Sequence, residues 1–113
     1  MKRIAMTLGS SLMLLLAGCG GTSTFSCDLT STTEDICIDY DAVSGPTDEV
    51  RSNCTRAGGT LGTTCTRMGI IGGCRRTAPA GESGTQTIWY YSRTTQEVMQ
   101  SCTSSGTTFV SPP

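Results

Sequence analysis

The sequence predicts a small α+β domain, built from antiparallel strands and two short helices in a pseudo-duplicated arrangement and stapled by disulfides. Three observations carry that prediction. Six cysteines are spread through residues 27–102, a fifteen-residue segment recurs forty-eight residues downstream, and alternating or β-branched runs precede each copy.

The two copies are Thr47–Leu61 and Thr95–Phe109, which share Thr, Glu, Val, Cys, Thr, Gly and Thr at matched positions. Each is punctuated as a short helix followed by a strand. Pro46 suits a first helical turn, and Asp48 and Glu49 complement the positive helix N-terminus. Val50 and Cys54 lie four apart on one face, as do Val98 and Cys102, so both helical cysteines are expected to point at the core. Gly58 and Gly106 stand where a left-handed residue would end each helix. Thr60-Leu61 and Thr107–Val110 then read as strands. Ahead of the helices, Ile36–Asp41 alternates and Thr87–Ser92 is rich in β-formers. Tyr40 is aligned with Tyr91 and Ile38 with Trp89. Ile70–Thr77 reads as a further strand, joined to the Trp89 strand by the turn Ala78–Gly84.

The N-terminus is of a different kind. Lys2 and Arg3 precede an uncharged stretch from Ile4 to Ala17 that includes Leu12-Met13-Leu14-Leu15-Leu16. This is an export signal, shorter than the ~20 apolar residues of a membrane span. Leu16-Ala17-Gly18-Cys19 resembles a bacterial lipobox. That resemblance implies cleavage before Cys19, a thioether-linked diacylglycerol on its Sγ, and a lasting membrane anchor. The domain plan is therefore a signal peptide over 1–18, a lipidated flexible tether over 19–26 and a single Cys-rich domain over 27–113, with pseudo-repeats at about 27–64 and 65–110. Gly20, rather than Asp, after the lipidated cysteine favours the outer membrane of a Gram-negative envelope, on its periplasmic or outer side.

Lipidation of Cys19 changes the cysteine count. Seven cysteines become six: Cys27, Cys37, Cys54, Cys65, Cys74 and Cys102. An even set in an exported domain reads as disulfides. There is no CxxC pair and no histidine to complete a zinc site. Each half holds three, so at least one bridge must cross between halves. The symmetric solution is Cys27–Cys37, Cys65–Cys74 and Cys54–Cys102, and its rival is a strand-to-helix bridge such as Cys37–Cys54.

The spacing resembles a loose group of small six-cysteine lipoproteins of large-genome Gram-negative bacteria. The elements concerned are Cys37-Ile38-Asp39-Tyr40, Gly72-Gly73-Cys74, and the cysteine-to-glycine turns Cys54–Gly58 and Cys102–Gly106. The resemblance implies a fold and an address, without an activity.

Without its signal the chain has six arginines against nine Asp and Glu, a formal charge of minus three, with no Lys and no His. A basic nucleic-acid footprint is absent. The common His- or Lys-assisted nucleophiles are unavailable, no cofactor motif is present, and a non-enzymatic role is expected. Asp39, Asp41, Asp48 and Glu49 lack EF-hand spacing and read as solvated charge, so no metal is expected. Arg75 and Arg76 read as surface charge. Trp89, Tyr90 and Tyr91 form the candidate binding surface, with Trp89 and Tyr91 on one face and Tyr90 on the other. Core packing is the simpler role for that run. The expected function is a lipid-anchored envelope module that binds a protein or glycan, or serves structurally. The alternative is an inhibitor of a secreted lysozyme or protease, acting through the Ala78–Gly84 turn.

Overall fold

A computed structural model describes residues 21–79 and 81–113, so the signal expected over 1–18 and the lipidation expected at Cys19 lie outside the described residues. Six strands and two helices follow in the order β1 (Thr22–Asp28), β2 (Ile36–Ser44), α1 (Asp48–Arg56), β3 (Thr60–Gly62), β4 (Gly72–Thr77), β5 (Thr85–Tyr90), α2 (Thr95–Ser105) and β6 (Thr108–Val110). The strands make one sheet, ordered β3-β1-β2-β5-β4-β6. Every pairing is antiparallel. The predicted α+β class, with antiparallel strands, two helices and three disulfides, is what the chain forms.

Register makes the duplication visible. Cys27 pairs with Ile38 and Leu61 in one half, and Cys74 pairs with Ile88 and Phe109 in the other. The halves meet where Ile38 pairs with Ile88, so equivalent isoleucines face each other at the centre of the sheet. Ile38 therefore corresponds to Ile88 and Tyr40 to Tyr90, one residue off the alignment expected from the aromatic run. A one-residue slip exchanges the faces of a strand, and only this register keeps Ile38 and Ile88 on the same side.

Both helices cover that side. α1 lies against β1 and β3, and α2 against β4 and β6. Their contribution to the core is small. α1 buries only Cys54, and α2 buries Val98 and Cys102. Under α1, Cys27, Leu29 and Cys54 cluster with Ile38, Tyr40 and Leu61. Under α2, Cys74, Val98 and Cys102 cluster with Ile71, Tyr90 and Phe109. Gly58 and Gly106 take the expected left-handed φ values of 91° and 74° at the helix ends. Pro46 does not open α1, because the helix begins at Asp48 with Thr47 as its cap and no side-chain cap bond. The equivalent of Pro46 is Thr94, which forms a capping box with Glu97, so the second helix has the better-satisfied start.

The disulfides are Cys27–Cys54, Cys37–Cys65 and Cys74–Cys102. All six predicted cysteines pair and one bridge crosses the halves, but each expected partner was different. Cys27–Cys37 cannot form because Cys27 pairs with Ile38 and Cys37 with Asp28, which sends the two side chains to opposite faces. Cys65–Cys74 fails likewise, since Cys65 joins the cluster of Cys37 and Trp89 while Cys74 lies under α2. Cys54–Cys102 fails on distance. Their partner strands β1 and β4 are three strand spacings apart, ~14 Å, beyond the reach of a disulfide.

The expected tether also shrinks. β1 starts at Thr22, so residues assigned to a flexible linker over 19–26 are largely strand. Small polar composition suggested a linker, but Phe25 stacks on Tyr40 with centroids 4.7 Å apart and carries the Arg51 guanidinium 4.1 Å above it. That packing and the ladder to β2 order the segment.

Each disulfide spans 27 or 28 residues, and a loop of that length is worth ~3.5 kcal/mol in the chain-entropy model. Three together approach the whole stability of an ordinary domain. Reduction with a strong thiol is expected to abolish cooperative thermal unfolding followed by circular dichroism. A reduced domain that still melts cooperatively above 25 °C would overturn this.

Candidate functional site

The face of the sheet opposite the helices carries the chemistry. Here the odd positions of β2 and β5 emerge: Cys37, Asp39 and Asp41 from one, Thr87 and Trp89 from the other. The loop over residues 63–71 crosses this face and is held by Cys65 bonded to Cys37.

Asp39 organises the surface. Its Oδ1 accepts the backbone N–H of Cys65 at 2.9 Å. Its Oδ2 accepts the Trp89 indole N–H and an Arg67 N–H, each also at 2.9 Å. Its side chain is 15% exposed, which departs from the solvated charge expected of the acidic group. Trp89 is 3% exposed, so its N–H would otherwise be an unpaired buried donor. The Arg67 guanidinium lies 5.5 Å from the Trp89 ring centroid, adding a cation–π contact. Glycine at position 73 makes room for the indole, because a Cβ there would stand 2.7 Å from Trp89 Cε3.

The aromatic run is divided by the sheet. Trp89 belongs to the core with Cys37, Cys65 and Ile70, and Tyr91 packs against that cluster. Tyr91 donates its hydroxyl to the Thr66 carbonyl at 2.7 Å, and its pKa is raised, first by burial and then by Asp28 and Asp39. Tyr90 goes to the opposite face under α2, with the Arg93 guanidinium 5.1 Å from its ring. The alternation was read correctly, yet Trp89, Tyr90 and Tyr91 do not form one exposed platform.

What this face offers is a polar cleft of about 410 Å³, lined by Asp39, Asp41, Arg67, Arg75, Thr87 and Trp89 with neighbouring threonines. Arg75 Nε donates to Thr87 Oγ1 at 3.0 Å, which ties the arginine to the cleft wall. Thr24 Oγ1 donates to Asp41 at 3.4 Å and accepts from the Ala42 N–H at 3.0 Å. Arg75 and Arg76 part to opposite faces, as alternation requires. Asp48 and Glu49 stay apart from Asp39, in the first turn of α1. Among the described residues, no cluster of His, Cys, Asp and Glu could hold a metal ion.

The cleft lies where the two halves have diverged. On the helix side four equivalent pairs keep their identity, Cys27 and Cys74, Ile38 and Ile88, Tyr40 and Tyr90, Cys54 and Cys102, while Phe25 is matched by Gly72. On the cleft side they differ completely, with Asp28 matching Arg75, Cys37 matching Thr87 and Asp39 matching Trp89. The hydrogen bond between Asp39 and Trp89 thus joins the same position of both halves. Sequence reading missed this centre because the repeat was aligned one residue out of register. No protein-family model, curated protein or solved structure matches this chain, so its role is argued from its own geometry.

Asp39→Ala strands the buried Trp89 donor and the Cys65 N–H, which is expected to cost roughly 2–3 kcal/mol. Arg67→Ala breaks a pair whose arginine side chain is 49% exposed and should cost less than ~1 kcal/mol. Denaturant melts of both variants check the ranking, and an equal loss for the two would overturn the role given to Asp39.

Proposed function

We propose that this chain is a lipid-anchored protein of the bacterial cell envelope, a non-catalytic module that binds a glycan through the cleft beside Asp39. The observation that carries the anchor is the pairing of the six described cysteines with one another. None of them is left to bond Cys19, which follows the export signal within Leu16-Ala17-Gly18-Cys19. No helix among the described residues is long and apolar enough to cross a membrane. Outer-membrane placement is part of this reading and rests on Gly20 following the lipidated cysteine.

The cleft supports the binding half of the reading. Arg75 supplies donors, Asp41 supplies acceptors, and threonine hydroxyls supply both. That mixture suits a hydroxyl-rich ligand better than an apolar one. A protein partner would use the same face without needing the cleft.

The second reading, an inhibitor of a secreted hydrolase, is favoured by one observation. The Ala78–Gly84 turn is clamped from the side: Ser83 accepts from the Ser44 N–H at 3.2 Å, donates its own N–H to Ser44 Oγ at 3.0 Å and donates its hydroxyl to the Ala42 carbonyl at 3.3 Å. A loop already held in place loses little entropy on docking.

In a Gram-negative host, an alkynyl fatty acid is expected to label the wild-type protein and not Cys19→Ser. An unlabelled wild type of signal-cleaved mass would sink the anchor. Chromatography on envelope glycans is expected to retain the wild type, and Arg75→Ala should elute with at least ~tenfold weaker affinity, the size of one lost charge-assisted hydrogen bond. Equal retention of both would remove the cleft from the proposal.

A further inference from the structure

The order of β1 bears on how the domain meets the membrane. We infer that the sheet stands upright on the lipid surface, with the end formed by Thr22, Ser44 and Ser83 resting against the headgroups. The inference deepens the anchoring proposed above and rests on it.

The argument begins with length. Only Gly20 and Gly21 separate Cys19 from Thr22, the first residue of β1. Three peptide steps reach at most about 11 Å. A diacylglycerol on Cys19 Sγ sets that atom at the glycerol level, beneath a polar layer ~5–8 Å thick. Thr22 therefore lies within a few ångströms of the headgroup surface, even with the spacer fully drawn out.

The sheet fixes what accompanies it. Thr22 pairs with Ser44 at the end of β2, and Asp41 of β2 pairs with Thr85 at the start of β5. Thr85 in turn pairs with Thr77 at the end of β4. One end of the sheet thus gathers Thr22, the β2–α1 connection and the Ala78–Gly84 turn. These loops move as one, because Ser83 and Ser44 exchange hydrogen bonds. Gly84 completes the junction: its φ is 108°, and a Cβ there would stand 2.5 Å from Val43 Cα. The turns at Thr30–Asp35 and Ser92–Thr94 lie at the far end, ~20 Å away along β1.

Charge shows what holds the near end down. Asp41, Asp48, Glu49 and Glu82 are exposed there against Arg76 and the half-buried Arg51, a net negative charge that anionic headgroups repel. The short spacer, and not affinity for lipid, imposes the contact. This orientation turns the cleft sideways, parallel to the membrane surface, and the Thr30–Asp35 turn outward. It also presses the Ala78–Gly84 turn against lipid, where a hydrolase could not engage it.

The test uses isotope-labelled, natively lipidated protein in phosphatidylcholine nanodiscs carrying a gadolinium-chelate lipid. Amides of Ser44, Gly45 and Ser83 are expected to relax at least ~tenfold faster than those of Asp35 and Ser92, given the ~20 Å height difference. Inserting twenty Gly/Ser residues between Gly21 and Thr22 should erase the gradient. Intact mass separates the two claims. A protein without lipid overturns the anchor and the orientation together, whereas a lipidated protein with uniform relaxation overturns the orientation alone. A gradient that survives the long spacer would show an intrinsic lipid-binding end and overturn the tether as its cause.

Discussion

Each helix of this domain is fastened to the sheet by one disulfide, Cys27–Cys54 for the first and Cys74–Cys102 for the second. The helices depend on those bonds because they bring so little apolar surface. Cys54 is the one buried side chain of α1, and Val98 and Cys102 are those of α2. A nine-residue helix with that burial would be marginal by itself. Covalent closure lowers the entropy of the unfolded chain and leaves the folded surface free to be polar. The same economy holds on the opposite face, where the Cys37–Cys65 bridge and the Asp39 carboxylate pin a loop whose buried apolar side chains are Cys65 and Ile70.

The two faces have been put to different uses. On the helix side, the halves repeat Cys27 as Cys74, Ile38 as Ile88, Tyr40 as Tyr90 and Cys54 as Cys102, with Phe25 answered by Gly72. On the other, Asp39 and Trp89 occupy equivalent positions and have become hydrogen-bond partners. A duplicated sheet with a symmetric core can tolerate such divergence, because the two faces of a strand belong to alternate residues. The polar cleft grows from that asymmetry, with Arg75 and Asp41 along its walls.

Much of this could be read before any coordinates. The cysteine and glycine spacing located both helices and their ends, and the alternation separated Tyr90 from Trp89 and Tyr91. Two of the failures share one cause. Pairing Cys27 with Cys37 treated neighbours along a hairpin as neighbours in space, while a register offset of one residue puts them on opposite faces. Aligning Ile38 with Trp89 made the same slip. Calling residues 20–26 a tether judged them by composition, before Phe25 had a Tyr40 to stack on.

The sequence by itself determined the six cysteines that pair, the two helices with the glycines at their ends and the α+β class. These follow from local rules: an even set of cysteines over residues 27–102, glycine at helix ends and period-two alternation. Only the tertiary structure decided which cysteine meets which, where the domain begins and that Asp39 is its polar centre. Those depend on strand register and on contacts such as Asp39 with Trp89, fifty residues apart in the chain. No local pattern encodes a register that becomes defined only when both halves of the sheet have come together.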